Sequence, residues 1–221
     1  MARHMTAAEE QAKVSRTLKY SSEEAAAVFR IAWYMIASKP NVLLEDYSEG
    51  ESQEFNGMAR FSLKIAGESA QAAIRLDGAQ SSLEIDTAGM DEVALGVYVN
   101  NFIDSIKDAI SKYQSLPEED RGRLRRALMA KTCWDRMVRE ILNKAPMTNV
   151  YYQIAHGREM IIKALEGDPG VYPITLTTSA WLSQIEPHPK DETLPGFVAS
   201  ELAKKSVEWK RETQEIIGRY I

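Results

Sequence analysis

Nucleophilic attack and proton transfer near neutral pH fall mainly to cysteine and histidine. This sequence holds one cysteine, Cys133, and three histidines. His4 stands near the start, and His188 lies between Pro187 and Pro189. His156 sits in the run Ala155-His156-Gly157-Arg158-Glu159. No Gly-x-Ser-x-Gly elbow marks a serine nucleophile. His156 beside a glycine therefore reads as a close-packed helix residue, and Cys133 beside Trp134 as a small buried side chain. One cysteine also rules out a disulfide scaffold and a cysteine-based zinc site. No His-Glu-x-x-His pair occurs. The acidic run Glu45 to Glu54 fails the calcium-loop pattern, because Tyr47 and Asn56 take ligand positions despite Gly50 at the turn. That run predicts a solvated loop. The glycine-rich phosphate loops are absent. No catalytic residue, metal ligand or cofactor contact is assigned.

Arginine is where chemistry concentrates. Residues 116–145 carry 8 basic and 5 acidic side chains. On a helix, Arg121, Arg125, Arg136 and Arg139 share roughly one azimuth, with Leu124, Leu128 and Val138 as inward positions. Arg123, Arg126 and Lys131 broaden the charge. A guanidinium fork suits phosphate or carboxylate equally. Arg121, Arg125, Arg126, Arg136 and Arg139 are therefore candidate contacts for nucleic acid or an acidic protein partner. Trp209 and Tyr220, with Ile216 and Ile217, are candidates for docking a partner through the last helix. Arg60, Lys64 and Arg75, with Glu84 nearby, form a smaller basic cluster on strands, but without aromatics on which bases could stack.

The elements that must carry these groups follow from apolar spacing. Ser21 and Glu24 have capping-box spacing and predict a helix start. Val28, Phe29, Ile31, Trp33, Met35 and Ile36 give that helix a broad apolar surface, and Pro40 ends it. Period-two alternation then predicts strands over 58–66, 71–77 and 81–86, joined by short turns as an antiparallel meander. A helix follows over about 90–113, with Leu95, Val99, Phe102, Ile103, Ile106 and Ile110 in a stripe. Further helices are expected over 118–144, 149–165, 178–185 and 195–219, with 174–178 β-prone. The fold expected is α+β: an N-terminal helix–three-stranded antiparallel meander–helix unit (21–115), then a C-terminal helical region (116–221) packed on it. Residues 1–20 read as a mobile arm. The helix–three strands–helix order is similar to that of a double-stranded-RNA-binding domain. That family opens its last helix with a lysine cluster, whereas here the run Asp86 to Glu92 is acidic, so no functional residue is carried over.

With Lys+Arg at 27 and Asp+Glu at 32, the net charge of -5 is unsuited to a general nucleic-acid coat. The longest apolar run, Ala25 to Ala37, is interrupted by Arg30 and falls short of the ~20 residues of a membrane span. The first residues lack the apolar core of a secretion signal. These features predict a cytoplasmic protein with no membrane partner. The reading that follows is a non-enzymatic subunit or adaptor working through contacts with a protein partner or a second copy. The alternative is a nucleic-acid-binding component using the basic helix over 118–144.

Overall fold

Residues 13–20, 24–51, 55–65, 68–77, 82–88, 92–168, 172–185 and 192–221 are described by a computed structural model of the protein. Alternation sets the sheet. In β3 (Phe55–Ile65), Ala59, Phe61 and Leu63 point to one side, where they meet Ile74, Ala72 and Ala70 of β4 (Glu68–Asp77) in antiparallel register. The third strand of the meander, β5 (Ser82–Ala88), pairs Ile85 with Ile74. Arg60, Lys64 and Arg75 stand exposed on the opposite face, and Arg75 reaches Glu84 at 3.7 Å.

Two further strands widen the meander to a five-stranded antiparallel sheet of order β1-β5-β4-β3-β2. The first, β1 (Lys13–Lys19), lies within the arm expected over 1–20 and pairs along β5, Leu18 opposite Leu83. Residues 1–12 of that arm lie outside the described residues. The second, β2 (Leu43–Glu51), takes in most of the expected acidic loop. Its pairing with β3 shifts register between Leu44 and Asp46, which turns both Tyr47 and Glu49 toward the helices.

The buried sheet face is covered by α1 (Ala25–Ala37) and α2 (Glu92–Ser115). Ser21 lies outside the described residues. Helix α1 opens on Glu24 without a side-chain cap; the Glu24 carboxylate instead accepts from Gln114 at 2.8 Å and Arg121 at 3.5 Å. The broad apolar surface of α1 has two uses. Val28, Phe29, Ala32 and Trp33 join the sheet core, while Ala27 and Ile31 join the core of the C-terminal helices.

Those helices are α3 (Glu118–Leu142), α4 (Met147–Ala164), α5 (Pro173–Ile185) and α6 (Gly196–Ile217). Pro117, Pro146 and Pro195 each precede a helix in extended conformation and mark its start. The β-prone stretch at 174–178 is helical and opens α5, earlier than the expected start at 178. Thr177 and Thr178 there return their hydroxyls to carbonyls one turn back, which suits threonine to a helix with a buried side. Among the described residues, no helix is long and apolar enough to cross a membrane.

Candidate functional site

A dense set of charged groups lies at the seam where α3 crosses α1 and β2. Helix α3 has two interior faces. Leu124, Leu128 and Met137 belong to the helical core. The other face carries Lys131, Asp135, Arg136 and Arg139; Lys131 pairs with Asp135 on the same helix, while Asp135, Arg136 and Arg139 bond to other elements of the chain.

Asp135 is the deeper centre. Its carboxylate accepts from Lys131 Nζ at 2.7 Å, Lys210 Nζ of α6 at 2.9 Å and the Trp33 indole of α1 at 3.0 Å. Burial pushes the Asp135 carboxyl up, but the two ammonium groups outweigh it and hold the acid below its ordinary range. Burial also lowers Lys131, with Asp135 opposing the shift. Lys131 is 1% exposed and Asp135 5%, so no substrate reaches either group in this conformation.

Glu49 of β2 is the second centre. It pairs with Arg30 of α1 at 3.3 Å and with Arg136 of α3. One carboxylate thus serves two guanidiniums, and aromatic faces supply what a second carboxylate would. Arg136 lies over the Tyr47 ring at 4.4 Å and the Trp33 ring at 5.3 Å, and Arg30 over Phe55 at 5.5 Å. Burial is the main cause lowering Arg30, with Glu49 opposing it. At the rim, Arg139 donates to the Glu45 carbonyl at 2.8 Å and meets Asp46 and Glu140, whose carboxylate also accepts from Tyr47 and Asn149. Cys133 is fully buried beside this network, and burial pushes its thiol up to about 12. The arrangement orients elements; the Cys133 thiolate is disfavoured, and Lys131 is buried out of reach.

The arginines singled out from sequence are dispersed over the chain's own acceptors. Arg121 pairs with Glu24 and Glu118, and Arg125 with Glu118 at 2.6 Å and the Tyr113 hydroxyl. Arg126 donates to the Lys163 carbonyl at 3.4 Å. Arg136 and Arg139 belong to the seam. At Arg121, Arg125, Arg136 and Arg139 a phosphate would compete with a carboxylate already paired.

Trp209 is fully buried, its indole donating to Thr177 at 2.9 Å and its ring 5.2 Å from that of Trp134. It is core, not surface, as are Ile216 and Ile217. Tyr220 is half-buried against the same core. His156 stacks on Tyr152 at 5.7 Å along the outside of α4; His4 and His188 lie outside the described residues. Among the described residues, no group of His, Cys, Asp and Glu is placed to hold a metal ion.

Arg30, Tyr47, Glu49, Asp135 and Lys210 were not marked by sequence reasoning. The one local signal was Arg30 inside an apolar run, since a charge there needs a buried counter-charge. Comparison with protein-family models, with curated proteins and with solved structures finds no match.

A further open feature lies at the opposite edge of the sheet. β1 is an edge strand, and a shallow groove runs between it and α2, lined by Arg16, Thr17, Leu18, Asn100, Ile103, Asp104 and Lys107. Helical spacing places Val93 and Val97 on the same stripe of α2 as Asn100, Asp104 and Lys107. Both valines are exposed, Val93 at 74% and Val97 at 58%.

Proposed function

We propose that the protein is a non-enzymatic subunit or adaptor of a macromolecular complex, acting through protein–protein contacts. The observation that carries this reading is the groove along β1. It joins a strand at the edge of the sheet, whose outer side meets no further strand among the described residues, to a helix that turns two apolar side chains into solvent beside it. Edge strands are sites of intermolecular pairing unless they are covered. The seam supports the same reading from the other direction: its charged groups pair with one another and fix the chain's own elements.

The test is gentle purification of the full chain from native extract, at low and then high salt, with protein and nucleic acid both read in the eluate. A protein retained in fixed stoichiometry at high salt is expected. A chain that elutes alone, or with nucleic acid that leaves as salt rises, overturns the reading.

A further inference from the structure

We propose that the groove between β1 and α2 takes an extended, acidic segment of a partner protein, which adds to β1 as a sixth strand. This rests on the subunit reading above and names its ligand. Strand addition draws affinity from main-chain hydrogen bonds at a sheet edge and specificity from alternate side chains.

The sheet has two edges, and among the described residues the β1 edge is the open one. At the β2 edge, Arg139 of α3 donates to the Glu45 carbonyl, and the register shift between Leu44 and Asp46 breaks the regular ladder. Both features deter pairing. At the β1 edge no such cover exists among the described residues.

The charge of that edge selects the occupant. β1 reads KVSRTLK. Two copies paired antiparallel about Arg16 would set Arg16 against Arg16. Like charges directly opposite are destabilising, so a second copy of this strand is disfavoured. Arg16 lies in the groove, and among the described residues its guanidinium donates to neutral oxygens, Asn100 Oδ1 at 3.2 Å and the Ser15 carbonyl at 2.9 Å. Asp104, the acidic residue in the groove, lies 3.3 Å from Lys107 Nζ. Arg16 is therefore a guanidinium held in place by neutral groups, with charge left for an incoming carboxylate. Toward the start of β1 the α2 stripe turns apolar at Val97 and Val93. A ligand strand would place a carboxylate against Arg16 and apolar side chains, two residues apart along its own chain, against the valines.

The experiment is selection of a displayed library of random linear peptides against the full chain. Selected peptides are then synthesised and measured by fluorescence anisotropy, with amide hydrogen exchange over residues 13–19. The expected winners carry a carboxylate among alternating apolar residues, and their binding slows exchange in β1. Arg16→Glu should weaken binding about ten- to a hundredfold, the usual cost of losing a hydrogen bond to a charged group. Val97→Asp tests the same groove from α2, in case the strand variant is poorly folded. Winners without an acidic residue, winners that leave β1 exchange unchanged, or no winners at all overturn the proposal. So does slowed β1 exchange in concentrated protein alone with a doubled mass, which would make a second copy the occupant. A native complex retained at high salt while both variants still join it overturns strand addition but leaves the subunit reading intact.

Discussion

Asp135 holds three donors from three helices, and its charge is the most consequential at the seam. Because its folded pKa is lowered, the unfolded chain binds the proton more readily. The stability it contributes is full above the unfolded value, about 3.9, and is lost as pH falls through the folded value. Asp135→Asn should therefore be less stable at neutral pH and show a shallower loss of stability in acid, measured by urea unfolding at several pH values. Asp135→Ala should cost about 3–5 kcal/mol, because Lys131 and Lys210 are left facing each other without a counter-charge. Cys133 gives a second prediction. With its thiol raised to about 12 and fully buried, a thiol reagent should label it only through unfolding. Labelling of the folded chain should then accelerate in step with denaturant-driven unfolding; rapid labelling in water would contradict the burial. Little of this was legible residue by residue. Lys131 and Asp135 stand four apart on a helix, the spacing of an ordinary surface pair. Only the crossing of α1 and α6 over them makes the pair a buried one.

The elements were legible where their stabilising pattern is local. The meander, α2 and α3 follow from apolar periodicity within each segment. β1 and β2 did not, because KVSRTLK and LLEDYSEGE are held by partners far along the chain. β1 needs β5, and the acidic residues of β2 need the arginines of α3. A charge-rich segment reads as loop when its counter-charges are out of view. The basic face of α3 misled in the matching way: a solvent-facing azimuth and a seam-facing azimuth have the same composition. Packing between elements also explains the glycine beside His156. A Cβ at Gly157 would come within 2.6 Å of the Trp134 ring, so glycine lets α4 approach α3 closely. Gly157→Ala sets a helix-propensity gain of about 1 kcal/mol against an overpacking cost of about 1–3 kcal/mol. The contact is with a buried ring that is itself held by its bond to Thr213, so the ring has little freedom to yield. Net destabilisation is expected, with a change in tryptophan emission, and thermal unfolding measures it. A neutral or stabilised variant would mean that α4 shifts freely.

At the scale of the molecule, the sheet unit and the C-terminal helices are joined by α1, which contributes to both cores, and by the Glu49–Arg136 and Asp135–Trp33 contacts across the seam. Apolar burial along α1 supplies cohesion but little specification of angle, since hydrophobic attraction is non-directional. The ion pairs and the rings beneath them fix direction: Arg136 meets Glu49 only when α3 lies across β2 with Tyr47 beneath it. The two parts should therefore unfold together. Far-ultraviolet circular dichroism and tryptophan emission should report coincident urea transitions in the wild type, because Trp33 sits in the sheet core and Trp134 and Trp209 in the helical core. Arg136→Ala removes the ion pair and the ring contacts together and leaves Glu49 with Arg30 alone. Its cost should be about 3 kcal/mol, the lower end for breaking a buried pair. Coupling to Glu49→Gln in a double-mutant cycle should fall within about 0.5–3 kcal/mol, the range for residues in contact. If the seam sets cooperativity, the double variant should separate the two transitions, with the signals of sheet and helices no longer coincident. If the transitions stay together, the apolar surface of α1 alone unites the molecule, and the charges serve only to set the angle at which the parts meet.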